Sequence, residues 1–283
     1  MNDVIDAAQT PNRFALTTAT DTEIPLGGLR DVKGFFAAQD DAYADFEDAT
    51  GEPEPRMSFT ATGFRPADPS LLSAEGGANP VELGDVYLEI LGDGESPIGD
   101  YWVGAMTLEG LTPDGTGTFD ASFTGWLTSR PDRDAGRLWD LWRSGPPSEK
   151  NVWAHELPPG RREAWVEVIS HCMPKNPRAT PRDPGDDVVV MDGRYITDLA
   201  SFFCAVGEAV NGPGGYFGSS LMGFTDCLRG GWGIDGPFTL VWEDSATAQN
   251  WLARRVERDA GSESYMELIL GCLRHVGNTV VLD

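Results

Sequence analysis

At 283 residues, with 40% hydrophobic residues, 10% aromatic residues and nine Trp, the chain has the length for one large domain or two ordinary ones and the material to fill a sizeable core. That composition excludes an intrinsically disordered chain. The formal net charge of −24 argues against nucleic acid or an anionic membrane as the direct partner; a field of that sign favours basic protein partners and speeds their encounter, and it serves plain solubility equally well.

The chain opens on MNDVIDAAQT, which has neither a basic n-region nor an apolar h-region, and no apolar run long enough to span a bilayer follows, so the cytoplasm is the expected location. RFALTTAT (13–20) and RMSFTATGF (56–64) read as strands. VYLEIL (86–91), YWVGAMTLEGL (101–111) and GTFDASFTGWLTS (117–129) are rich in β-branched and aromatic residues. The turn clusters GDGESPIGD and TPDGTG separate them, which predicts a three-strand antiparallel meander. Leu138, Leu141 and Trp142 fall on one side of a short helix expected over 134–143, and a second helix is expected from 161 to about 169. Residues 1–172 therefore read as a β-rich α+β domain whose Trp residues serve the core, with no motif that carries chemistry.

Residues 173–187, MPKNPRATPRDPGDD, hold prolines at 174, 177, 181 and 184 and almost nothing apolar, the composition of an extended linker. Beyond it the pattern changes. VVVMDG (188–193) is a short buried-strand run, and Thr197 then suits a helix N-cap. Leu199, Phe202, Phe203, Val206 and Val210 keep helical spacing until Asn-Gly-Pro-Gly-Gly stops the helix. A short helix over 221–229, the strand FTLVWE (238–243) and a helix from 245 to about 255 follow. Met266, Ile269, Leu270, Leu273 and Val276 stripe a last helix, and NTVVLD closes the chain as a third strand. Strands joined by helical crossovers pair in parallel, so 188–283 reads as an α/β domain with a small three-stranded parallel sheet covered by helices.

Here the residues become specific. Tyr216-Phe217-Gly218, then Leu221, Asp226-Cys227-Leu228, a Gly-Gly-Trp turn ending at Trp232, and Pro-Phe-Thr-Leu-Val-Trp make a signature across 214–242. This stretch resembles the barstar family, intracellular inhibitors of barnase-type ribonucleases, and the chain is similar to longer actinobacterial members that place such a domain behind an uncharacterised N-terminal half. The resemblance covers about a third of the chain. It implies an acidic loop–helix surface that fills a nuclease active site, with carboxylates standing in for RNA phosphates. By the same resemblance Asp226 is the dominant acid, Tyr216 and Phe217 belong to the contact loop, and Trp232 falls near a contact tryptophan, one extra glycine loosening that correspondence. The expected partner is a basic nuclease or toxin protein, with no nucleic acid, no membrane, no cofactor and no catalytic role.

Helix geometry supports Asp226 independently. At about 100° per residue, Leu221, Phe224, Cys227 and Leu228 gather on one side, and Asp226 lies nearly opposite with Met222 and Arg229 as neighbours. The family commonly presents a second acid one turn before the first; here that position is Met222, with Ser220 and Thr225 also departing from the usual residues. Over 186–283 there are 14 acidic and 6 basic residues, so the acidity extends over the whole chain and is not focused on this face.

Other motifs carry less. GPGGYFG (212–218) lacks the Lys of a phosphate loop and follows a helix, so it reads as the turn that exposes Tyr216. Four widely spaced cysteines and three histidines offer no CxxC or HExxH spacing, which leaves no metal site to expect. His155 beside Glu156 and His171 beside Cys172 have no third partner at a recognisable spacing. Two functions remain: a ribonuclease inhibitor of the immunity type, or an interaction module that keeps the scaffold for a different partner.

Overall fold

The computed structural model describes residues 11–36, 43–47, 53–77, 79–172, 188–258 and 261–283. They fall into two compact units, Met1–Gly145 and Pro146–Asp283. The Pro-rich segment 173–187 lies outside the described residues, and the boundary between the units comes before it.

In the first unit, strands β1 (Phe14–Thr18), β2 (Pro25–Leu29), β3 (Asp31–Lys33), β4 (Tyr43–Glu47), β5 (Pro53–Pro66), β6 (Val81–Leu91), β7 (Pro97–Pro113) and β8 (Phe119–Trp126) form one antiparallel sheet. The expected meander is β6–β7–β8, and the two further expected strands are β1 and β5. Order β2-β1-β6-β7-β8-β5 closes on itself where Gly27 and Gly28 pair with Pro66 and Arg65, making a six-strand barrel. β5 is long enough to serve β8 along one edge and β4, β3 and β2 in turn along the other.

The barrel interior is occupied by side chains. Leu16, Val86, Leu88, Val103 and Leu108 are fully buried, and Phe59 packs between Phe35 and Phe123 at centroid distances of 5.3 and 5.2 Å. Helix α1 (Ala135–Trp142) buries Leu138, Trp139 and Trp142, and the Trp139 indole N–H donates to the Tyr101 hydroxyl at 3.0 Å. Leu141, expected on that inward side, is exposed instead, because the helix phase turns Trp139 inward. The β7–β8 turn is held by Asp114, which accepts from the Thr116 amide and hydroxyl at 2.8 Å each and pairs with Arg30 at 2.7 Å.

The second unit begins with two helices, α2 (Val152–Glu156) and α3 (Glu163–His171), and α3 packs against α4 (Leu199–Asn211). Between α2 and α3, buried Arg162 donates to the Tyr195 carbonyl at 2.6 Å and the Thr197 hydroxyl at 2.7 Å while lying over the Trp153 ring. The sheet is parallel, as expected, in the order β13-β10-β9, with β9 (Val188–Asp192), β10 (Thr239–Glu243) and β13 (Thr279–Leu282). Its inner face buries Val189, Met191, Leu240 and Trp242 beneath Phe202 of α4, whose ring centroid is 5.7 Å from that of Trp242.

Helix α4 is capped by Asp198, one residue later than the expected Thr197. The Asp198 carboxylate accepts from the Ser201 amide at 2.7 Å and the Ser201 hydroxyl meets the Asp198 amide, a complete capping box. Short α5 (Leu221–Cys227) follows. After β10 comes α6 (Ser245–Leu252), which stops short of 255 because the polar run that follows forms a hairpin, β11 (Arg255–Arg258) with β12 (Gly261–Ser264). Helix α7 (Tyr265–His275) buries Met266, Ile269 and Leu273 and leads into β13.

Candidate functional site

The predicted contact residues come from two glycine-rich loops at the end of α4 and from the outer face of α5. The first loop folds back flush on α4: a Cβ on Gly207 would lie 2.1 Å from the Gly215 carbonyl oxygen, so only glycine admits this approach. Gly218, at φ +96°, then abuts α5, where a Cβ would meet the Phe224 Cα at 2.6 Å.

Asn211, the last residue of α4, fixes both loops. Its side chain is buried, and its amide donates to the Tyr216 carbonyl at 2.8 Å and to the Trp232 carbonyl at 2.9 Å. The two clipped residues place their rings edge to face, with centroids 5.5 Å apart. Burial pushes the Tyr216 phenol up, with a smaller contribution from the Asp226 charge nearby. Buried Glu208 works one turn earlier: it accepts from the Asn151 amide at 2.8 Å and reaches the Gly214 amide at 3.5 Å. Burial raises its carboxyl to about 6.

Ser220 caps α5 by accepting from the Gly223 amide at 3.1 Å. The helix buries Phe224 and Cys227 and turns Asp226 outward with its side chain 59% exposed, as helical geometry predicts. Met222, on the same face, is 77% exposed. Asp226 Oδ1 pairs with Arg229 Nη1 at 2.7 Å, one turn on. Thr225 points the other way: its hydroxyl donates to the Leu221 carbonyl at 2.8 Å and lies 3.4 Å from Cys272 Sγ of α7.

Of the residues expected on the contact surface, Tyr216 and Trp232 lie side by side, and Asp226 is outward on α5 next to them. Phe217 does not join them. It is 0% exposed and its ring packs on that of Phe224 with centroids 6.0 Å apart. Its part is to anchor the loop that presents Tyr216. Sequence reasoning missed Asn211, since an Asn before Gly-Pro-Gly-Gly looks like a helix stop. A polar residue ending an otherwise apolar helical stripe was the available signal.

His155 is exposed with its ring against Tyr195 at 5.5 Å, and Cys172 is buried. Among the described residues no group of three or more His, Cys, Asp or Glu gathers to hold a metal ion, and no helix is long and apolar enough to cross a membrane.

No curated protein and no solved structure matches the chain. Residues 187–275, from just before β9 to the end of α7, match the family model described as Barstar (barnase inhibitor), and the C-terminal region of this chain is a barstar-like domain.

Proposed function

We propose that the protein is a non-catalytic ribonuclease inhibitor of the immunity type, acting in the cytoplasm through the face formed by Tyr216, Trp232 and Asp226. The observation that carries this reading is the convergence of two clipped aromatic rings and an outward carboxylate on a barstar-like domain. In such a complex Asp226 takes the place of an RNA phosphate and meets a cation of the nuclease, while the rings supply rigid contact area. The net charge of −24 draws a basic nuclease toward the protein and raises the association rate at low salt.

The test mixes the protein with a barnase-type ribonuclease and follows RNA cleavage. Micromolar protein is expected to suppress cleavage, and Asp226→Ala to weaken inhibition about a hundredfold, the scale for truncating one partner of a buried charge pair. Unchanged cleavage at micromolar protein, or full inhibition by Asp226→Ala, would overturn the reading.

One observation favours a second reading. Met222, 77% exposed where the family commonly carries an acid, gives α5 a flexible apolar contact suited to another partner surface. In that case the domain is a non-inhibitory interaction module, pull-downs recover a partner that is not a nuclease, and removal of the first unit, residues 1–145, abolishes capture.

A further inference from the structure

We infer that Arg229 is a specificity-determining residue. Its pair with Asp226 selects a ribonuclease whose docking rim sets a basic and an acidic side chain side by side around an apolar patch, and selects against a uniformly cationic phosphate cleft. The inference rests on the inhibitor reading and names the partner chemistry that this face fits.

The charge of the face is unlike the charge of the chain. Across 212–237, which supplies both loops and α5, the charged residues are Asp226, Arg229 and Asp235 alone, in a protein of net charge −24. Asp235 is engaged within its own loop, accepting from the Gly231 amide at 2.7 Å. That leaves Asp226 and Arg229 as a nearly balanced couple, with side chains 59% and 67% exposed and 2.7 Å apart. The same helix and loops carry the exposed Met222 and the Tyr216–Trp232 ring pair, an apolar and aromatic complement.

In water such an exposed pair contributes little to stability and constrains little. Docking changes its energetics, because both groups then lose water together. A cleft lined only with cations satisfies the Asp226 carboxylate but presses like charge against the Arg229 guanidinium, leaving it desolvated without an acceptor. A rim that adds one carboxylate satisfies both ends of the couple. Arg229 thus supplies the repulsive element that discriminates between partners, and Met222 removes the second acid that would have outweighed it.

The experiment measures inhibition constants of the full chain against a barnase-type ribonuclease for the wild type, Arg229→Thr, Arg229→Lys, Asp226→Ala and the Arg229→Thr/Asp226→Ala double variant. Thermal unfolding of each variant confirms that it is folded. Arg229→Thr is expected to inhibit at least about tenfold more tightly than wild type, the scale of one relieved like-charge contact, while Arg229→Lys stays near wild type. Asp226→Ala weakens inhibition in both backgrounds. Charge reversals of single Lys or Arg residues on the ribonuclease's cleft rim are expected to include one that tightens binding of the wild type but not of Arg229→Thr. If Arg229→Thr inhibits no better than wild type while Asp226→Ala still weakens inhibition, the role of Arg229 is refuted and the inhibitor reading stands. If no variant, Arg229→Thr included, slows RNA cleavage, the inhibitor reading fails and this inference with it.

Discussion

Two aspartates, one from each unit of this protein, are used in opposite ways. In the barrel, Asp114 collects donors from Thr116, Thr118 and Arg30, so its charge is committed to holding a turn. In the barstar-like unit, Asp226 meets one arginine at the surface and otherwise faces outward. The loops differ too. The barrel ties its turn with side-chain hydrogen bonds, whereas the glycine-rich loops beside α5 are set by two buried groups behind them, Asn211 and Glu208. A carboxylate surrounded by donors is structural, and one left on a prepared surface is free to be exchanged with a partner.

Substitutions sharpen or break that contrast, beginning with the largest effect. Gly207→Ala forces a Cβ against the Gly215 carbonyl and is expected to destabilise the second unit by about 3 kcal/mol in a denaturant titration. A change below about 0.5 kcal/mol would mean that the loop does not lie flush on α4. Asn211→Ala removes two part-buried hydrogen bonds to the Tyr216 and Trp232 carbonyls and should cost about 2 kcal/mol. It should also weaken partner binding although Asn211 itself is buried; unaltered binding would show that the aromatic pair holds its own geometry.

Glu208 makes the second unit sensitive to pH. Its carboxyl is raised to about 6 in the folded protein from an ordinary 4.5, so between those values the folded state binds the proton more tightly than the unfolded state. The contribution of Glu208 to stability is therefore greatest below the lower value, declines as pH rises through the interval, and is level above it, a change on the order of 1–2 kcal/mol. Glu208→Gln should flatten that dependence; an unchanged slope would assign it to other groups. The smallest effects compare the two acids directly. Asp114→Ala is expected to cost about 1 kcal/mol and Asp226→Ala less than about 0.5 kcal/mol. Equal losses would erase the distinction between a structural and an available charge.

Much of the architecture is legible in the residues because period-two and period-3.6 patterns are local. The meander β6–β7–β8 and the stripes of α4 and α7 follow from them. Closure of the barrel is not, since it depends on β2, whose PLGGL carries no alternation and finds β5 only through distant pairing. The hairpin β11–β12 has Val256 as its one large apolar residue and so leaves no apolar alternation to read. At the candidate site, the outward direction of Asp226 is readable from helical geometry. The burial of Phe217 is not, because loop residues follow no fixed period, and the ion pair of Arg229 depends on a rotamer that spacing alone leaves open.

The helices α2 and α3 precede the segment that matches the family model, yet they are bonded into the same unit. Arg162 is buried against the Tyr195 carbonyl, and the Asn151 amide supplies a donor to Glu208. Cutting the chain at residue 187 would take the Asn151 donor from that carboxylate and uncover one flank of α4. For grafting or exchange between proteins, the transferable piece therefore starts at Pro146, and recombination at the border of the recognised family would deliver a damaged module.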